Sequence, residues 1–232
     1  MGILYIVATP IGNLQDITLR AIEILKKVDF ILSEDTRKTG FLLEKILGHK
    51  VPKEKLASYY EQNELQRIPG VIDLLKAGYS VALVSDAGTP LVSDPGFKLV
   101  REARNNKIRV EAIPGPSASI SALSISGLPT DKFLFIGYLP KKPGNRSKLL
   151  NQIKSVTQIM EPTVILYEAP HRLVKTLDEL LSVFGDIDIV MCREMTKIHE
   201  EYKKDKISKL IASYQKKGPK GEIVLLFNLK DL

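Results

Sequence analysis

The run Ile3-Leu4-Tyr5-Ile6-Val7-Ala8-Thr9-Pro10-Ile11-Gly12-Asn13-Leu14 decides the reading of the chain. Its unbroken apolar start, ended by Thr-Pro, is short and reads as a strand buried on both faces. Such a strand needs helices above and below it. Working outward, Leu19, Ile22, Leu25 and Val28 recur at helical spacing over 18–28. Phe30-Ile31-Leu32 reads as a second strand, 37–47 as a second helix and 56–59 as a short third strand. Residues 61–77 read as helical with a break near Pro69-Gly70. Val81-Ala82-Leu83-Val84 is a fourth strand, 95–106 a helix opened by Pro95, and 108–113 a fifth strand. Strands separated by helices of this length need crossovers, so the sheet is mainly parallel.

Pro114-Gly115-Pro116 interrupts the pattern and divides the chain into an α/β domain over 1–113 and a second α/β domain over 114–232. A small-residue helix is expected over 117–122. Strands follow near 133–138, 163–167, 187–192 and 222–229, and helices near 146–156, 170–184 and 205–217. Residues 199–203 read as a further edge strand.

The 232 residues are 44% hydrophobic and 26% charged, which excludes a collagen, a disordered tail and a disulfide scaffold. The single Cys192 makes no intrachain disulfide and no all-cysteine zinc site, and it fits a reducing compartment. The first residues carry no basic leader, and Ile6 stands where a myristoylation signal needs Ser or Thr. No apolar run reaches the ~20 residues of a membrane span. A cytoplasmic protein without a membrane partner is expected.

Lys and Arg number 34 against 27 Asp and Glu, a net +7. That surplus favours an anionic partner such as nucleic acid, or it is the ordinary charge of a basic protein. It is uneven: residues 1–113 carry 16 Lys/Arg and 14 Asp/Glu, and 114–232 carry 18 and 13. Lys141, Lys142, Arg146 and Lys148, with Lys203, Lys204, Lys206, Lys209, Lys216, Lys217 and Lys220, are either a solvated face or phosphate contacts.

Common motifs are missing. Thr9-Pro10-Ile11-Gly12-Asn13 stands where a Rossmann strand would carry Gly-x-Gly-x-x-Gly, and no Walker A sequence exists. Gly115-Pro116-Ser117-Ala118-Ser119 ends in Ser where a nucleophile elbow needs Gly, and reads as a turn into a helix cap. His49, His171 and His199 lack metal-ligand spacing, so no metal is expected. Gly218-Pro219-Lys220-Gly221 is a phosphate-clamping loop or a turn before the last strand.

Three loops stand out because they leave the carboxyl ends of strands, where open parallel sheets bind ligands. They are 8–14, Ser33-Glu34-Asp35-Thr36-Arg37, and the long small-residue loop over 85–96, in which Asp86 could accept hydrogen bonds from a ribose or an amine. Tyr167-Glu168-Ala169-Pro170-His171-Arg172 and Arg193-Glu194-Met195-Thr196-Lys197 each set a carboxylate beside a cation, as an acid/base element or an ion pair.

Together with Ile113-Pro114-Gly115-Pro116-Ser117-Ala118, Cys192-Arg193-Glu194 and Gly221-Glu222-Ile223-Val224-Leu225, these loops resemble the 16S rRNA (cytidine-2′-O)-methyltransferase branch of the tetrapyrrole methylase superfamily. The resemblance runs from residue 3 to about residue 227. It implies the fold of the class III methyltransferases: two α/β domains, the N-terminal sheet mainly parallel and the C-terminal sheet mixed. It also implies S-adenosylmethionine in the cleft between them, and a homodimer. Carried over residue by residue, Pro10, Val84, Ser85, Asp86, Gly88, Thr89, Ser117, Ala118 and Tyr167 are expected at the cofactor. Pro10 replaces the glycine-rich turn of the tetrapyrrole enzymes, which argues against a tetrapyrrole substrate. Many members of the branch continue past the last strand, so any RNA contact of such an extension is expected to be absent or moved elsewhere here.

The implied reaction is methyl transfer to a cytidine 2′-oxygen in the decoding centre of 16S rRNA, within the small ribosomal subunit. A ribose hydroxyl needs a proton acceptor. Glu168 is the first candidate and Glu194 the second, with Asp35, Arg37, Arg172, Lys141, Lys142 and Arg146 expected to contact RNA. The rivals are a small-molecule methyltransferase of the same superfamily and a basic RNA-binding module without chemistry.

Overall fold

Apolar, β-branched runs too short for helices pair with one another, and the amphipathic segments between them cover the result. A computed structural model describes residues 1–216 and 218–230. The chain folds as two units, Met1–Ser117 and Ala118–Leu232.

In the first unit, β1 (Ile3–Val7), β2 (Phe30–Ser33), β3 (Leu56–Ser58), β4 (Val81–Leu83) and β5 (Arg109–Ile113) lie in the order β3-β2-β4-β1-β5, all pairs parallel. The helices are α1 (Leu19–Lys27), α2 (Thr36–Leu47), α3 (Glu64–Lys76) and α4 (Phe97–Asn105). Successive strand residues face opposite sides of a sheet. Leu4, Leu32, Val81 and Leu83 therefore pack with Ile72 and Leu75 of α3 and Leu99 of α4. Val7, Ile31 and Ala82 pack with Ala21 and Leu25 of α1 and Leu43 of α2. Both sheet faces are covered, as the continuous apolar runs require.

Two expectations change. The helix over 64–76 runs through Pro69 without a break. Leu65, whose carbonyl loses its partner there, is exposed, so water can satisfy it. Pro95 lies ahead of α4, whose cap is Gly96. The Gly96 N–H is tied at 3.0 Å to the carboxylate of Glu64, which is 3% exposed. Glu64 also accepts from the Tyr59 hydroxyl at 3.1 Å and pairs with Lys98 at 3.0 Å.

In the second unit, β6 (Phe133–Tyr138), β7 (Thr163–Glu168), β8 (Asp188–Arg193), β9 (Glu201–Lys206) and β10 (Ile223–Phe227) form a mixed sheet in the order β6-β7-β10-β8-β9. Only β6 and β7 are parallel. α6 (Pro143–Met160), α7 (Leu173–Phe184) and α8 (Ile207–Gln215) bury Leu150, Leu177 and Leu210 against Leu166, Met191 and Leu225. The short α5 (Ala118–Ile125) lies against β7 and β10. α6 is longer than expected because Pro143 starts it at its first position and Glu161 ends it in the left-handed region (φ 52°). α7 is preceded by a separate helical turn over Pro170–Arg172. β10 stops at Phe227, where the buried Asn228 side chain bonds the Glu161 carbonyl at 3.1 Å. The edge strand sits at Glu201–Lys206, later than expected, and α8 ends at Gln215. Lys217 lies outside the described residues.

Burial raises the Glu64 carboxyl pKa, but Lys98, the Gly96 N–H and Tyr59 outweigh it and hold it below its ordinary 4.5. A carboxyl so lowered adds stability above its unfolded pKa and loses it as pH falls through its folded one. Glu64→Gln is expected to cost about 2 kcal/mol at neutral pH, a Tm loss of roughly 5 °C. Melting followed by circular dichroism should also find a smaller fall in Tm towards about pH 3 in the variant than in the wild type.

Candidate active site

A parallel strand whose neighbours are also strands must send its chain out at the carboxyl edge, so β1, β2 and β4 deliver three loops side by side. Two backbone hydrogen bonds knit the first and third: Thr9 N–H to the Gly88 carbonyl at 2.9 Å and Gly88 N–H to the Thr9 carbonyl at 3.0 Å. The buried Thr9 hydroxyl donates to the Ser85 carbonyl at 3.1 Å. Gly88 has φ 83°, and an added Cβ would stand 3.4 Å from Ile11. That conformation suits glycine, and the residue is buried with both its backbone groups bonded to Thr9. Pro10 and Val84 are buried beside this bridge, as is Ser85. Thr89 reaches the Pro116 carbonyl with its hydroxyl at 3.0 Å, which brings the segment leading to Ser117 to the same loop. Leu91 and Ser93 hold positive φ values of 72° and 68°, a strain that a bare connecting turn would not need.

Carboxylates gather at the same edge. Asp86 accepts the Asp35 N–H at 3.1 Å and pairs with Lys38 at 2.7 Å. Glu34 is half-buried at the end of β2. Burial, then the charges of Asp94 and Asp86, push its pKa up from 4.5 to about 7. The Ser33 hydroxyl is buried without a hydrogen-bond partner among the described residues. Asp35 caps α2 by accepting the Arg37 N–H at 2.9 Å, and its carboxylate pairs with the Arg37 guanidinium at 2.8 Å. That pairing holds the Asp35 carboxyl well below its usual range. Arg37 itself is exposed.

In the second unit Ala118 begins α5, and the following Ser119 N–H donates to the Tyr167 hydroxyl oxygen at 3.2 Å. Tyr167 is fixed edge-on between Phe135 and Tyr138, with ring centroids 5.0 and 5.7 Å away. The neighbouring Glu168 points the other way along the strand and is 1% exposed. One oxygen accepts the Ala169 N–H at 2.8 Å and faces Arg172 at 3.4 Å; the other accepts the Thr176 hydroxyl. Arg172 also donates to the Leu139 carbonyl at 2.7 Å. Arg146, expected among the RNA contacts, is instead 2% exposed, bonded to Glu179 at 2.7 Å and Thr176 at 2.9 Å. Its charge is neutralised where no phosphate reaches. Lys141 and Lys142 are exposed ahead of α6.

Glu194 forms a separate cluster. It accepts from Lys197 at 2.8 Å and from the Glu222 N–H at 2.9 Å, and Lys197 also holds Glu222 at 2.9 Å. Burial opposes these partners, but they keep its pKa below the ordinary value. A Cβ on Gly221 would come within 2.2 Å of the Glu194 carboxyl carbon, so Gly221 clears room for that side chain rather than clamping a phosphate. Several of the expected phosphate-binding lysines are also engaged: Lys203 with Glu201, Lys206 with Asp188 and Lys209 with Asp205. The three histidines are exposed.

The structure thus brings Pro10, Val84, Ser85, Asp86, Gly88 and Thr89 to one place in the first unit, and Ala118 and Tyr167 to one place in the second. Glu168 and Glu194 serve different loops. The residue that sequence reasoning missed is Glu34. Its only signal is a carboxylate at a strand end next to Ser33, since burial and the approach of Asp86 and Asp94 are tertiary facts.

Comparison with known proteins agrees with this architecture. The model of the tetrapyrrole (corrin/porphyrin) methylases matches residues 3–211. Ribosomal RNA small subunit methyltransferase I of Thermotoga maritima is 45% identical over 231 residues, covering 100% of both chains. The protein of the same name from Rickettsia prowazekii is 44% identical over 97% of this chain and 78% of its own. Among solved structures, a diphthine synthase superposes with a TM-score of 0.71 at 16% identity, over 97% of this chain and 90% of that one. Uroporphyrin-III-C-methyltransferase from Thermus thermophilus gives 0.65 at 20% identity, over 97% and 94%. The last two establish the fold alone. With a knitted cradle at the carboxyl edge of a parallel sheet, a mixed second sheet, and full-length relatives at this identity, the chain belongs to the tetrapyrrole methylase family, in the branch of the ribosomal RNA small subunit methyltransferases I.

Proposed function

We propose that this protein transfers a methyl group from S-adenosylmethionine to the 2′-oxygen of a cytidine ribose in the decoding centre of 16S rRNA, acting on the small ribosomal subunit in the cytoplasm as a homodimer. The observation that carries the reading is the full-length 45% identity to a ribosomal RNA small subunit methyltransferase. The first unit's cradle fits the cofactor. The half-buried Asp86 and Glu34 carboxylates beside the Thr9–Gly88 bridge suit a cation and ribose hydroxyls. Pro10, Val84, Ser85, Asp86, Gly88 and Thr89 would hold it there, with Ser117, Ala118 and Tyr167 as the remaining contacts. S-adenosylmethionine supplies an electrophilic methyl on a sulfonium, so the protein's work is alignment and proton removal.

For proton removal we assign Glu34. Glu168 has both oxygens bonded and Glu194 is held by Lys197, so each positions its own loop. Glu34 is half-buried at the carboxyl edge, with a pKa near working pH, as a general base requires. Asp86, fixed by the Asp35 N–H and Lys38, keeps a negative neighbour beside it. Lys141 and Lys142 would meet phosphates.

Small subunits from cells lacking the activity, mixed with the protein and methyl-labelled S-adenosylmethionine, should gain label on one cytidine ribose when the RNA is digested and mapped by mass spectrometry. No label despite saturable cofactor binding would shift the reading to a small-molecule methyltransferase. Without label or cofactor binding, only an RNA-binding module would remain.

The base assignment has its own signature. The rate should rise with pH through about 7 as Glu34 loses its proton, then level off. Glu34→Gln should lower the rate about 10²- to 10⁴-fold and abolish that limb. A carboxyl with a raised folded pKa destabilises the fold above it. The variant should therefore melt higher than the wild type at about pH 8, which separates loss of the base from loss of structure. An unchanged pH limb in Glu34→Gln would sink the assignment.

A further inference from the structure

We propose that a groove on the first unit, between α2 and β3, seats an unpaired nucleobase of the RNA substrate, with Phe41 as the stacking platform. This rests on the rRNA reading above and adds a contact site to it. The groove encloses about 650 Å³ and is lined by Arg37, Phe41, Glu44, Lys50, Val51 and Lys53, among others. α2 turns Thr39 and Leu43 into the core, so Phe41, two residues from each, points away from it. It is 59% exposed, and Lys45, one helical turn on, stands over its ring at 5.3 Å.

An aromatic face beside cations is the arrangement that holds single-stranded nucleic acid, because every base offers a π-face and every linkage a phosphate. With Arg37 paired to Asp35, Lys50 and Lys53 still outnumber Glu44, the acid among the lining residues. Lys50 and Lys53 form no ion pair among the described residues. Their charge is therefore available to an anionic partner, unlike that of Lys203, Lys206 and Lys209. Glu44 can accept from the exocyclic amine of a base, a contact that a bare polyanion could not offer. Val51 supplies an apolar wall for the ring edge. The groove lies beside Thr36 and Arg37, which follow directly on the Ser33-Glu34-Asp35 edge of the cradle. A strand of RNA seated there would run towards the reacting ribose.

The test exploits the absence of tryptophan from the chain. Phe41→Trp places a single indole in the groove, and a stacked base quenches indole fluorescence. Titration of the full-length variant with an unstructured ten-nucleotide RNA should quench the signal saturably, with inorganic tripolyphosphate giving no quench. Phe41→Ala should weaken binding of the same RNA, measured by anisotropy, on the order of tenfold. Lys50→Gln with Lys53→Gln should flatten its salt dependence. Quenching by RNA in a protein that fails to methylate small subunits would support the groove and overturn only the reading above. Methylation with no quench and an unchanged Phe41→Ala affinity would overturn the groove alone. Quenching by hexaglutamate but not by RNA would also overturn it, and would assign the groove to an acidic protein partner.

Discussion

Two backbone hydrogen bonds between Thr9 and Gly88 set the geometry on which the first unit's site depends. They join loops whose strands, β1 and β4, are neighbours in the sheet although more than seventy residues apart in sequence. A loop that leaves a buried strand must satisfy its own main chain. Here the loops satisfy one another, and the Thr9 hydroxyl closes the Ser85 carbonyl as well. The bonded loops are buried at the bridge, with Thr9, Pro10, Ser85 and Gly88 inside and the Asp86 and Glu34 carboxylates half-buried beside them.

Charge is arranged around that frame in two ways. In the second unit, carboxylates are spent on holding loops: Glu168 fastens the turn after β7 through Thr176 and Arg172, and Glu194 fastens the turn after β8 through Lys197. Their partners satisfy them. In the first unit, Glu34 faces two further acids, Asp86 and Asp94, and carries a pKa near 7. Like charges in a partly desolvated place are a cost to folding, and such costs concentrate where chemistry is done. The contrast between carboxylates with their bonds filled and one raised by burial and like charge is the ground on which Glu34 is proposed as the base.

The strand pattern was legible because period and length speak directly: the apolar runs at 3–8 and 81–84 lie where β1 and β4 form. The loops were legible as unusual, since Gly, Pro and small residues cluster at the strand ends. What sequence could not supply is who touches whom. Arg146 reads as a surface cation among Lys141, Lys142 and Lys148, yet it is buried because Glu179 and Thr176 arrive from α7. Glu168 reads as an acid/base element or an ion pair with its neighbouring cation; Arg172 does face it, while its hydroxyl donor, Thr176, comes from α7 and leaves no trace in the local sequence. Pro69 reads as a break, yet the helix runs through it and Leu65, whose carbonyl it orphans, is exposed. In each case the deciding partner or exposure comes from elsewhere in the fold, which local sequence does not carry.

The account stands on the claim that the loops after β1 and β4 are the cofactor cradle. A crystal structure of the full chain grown with S-adenosylhomocysteine tests this most directly. The account predicts the ligand against the main chain of residues 84–89 and beside Thr9 and Pro10, with a carboxylate of Asp86 or Glu34 in hydrogen-bond reach. A ligand ordered elsewhere, with no contact to residues 84–89 or to Thr9 and Pro10, would contradict it.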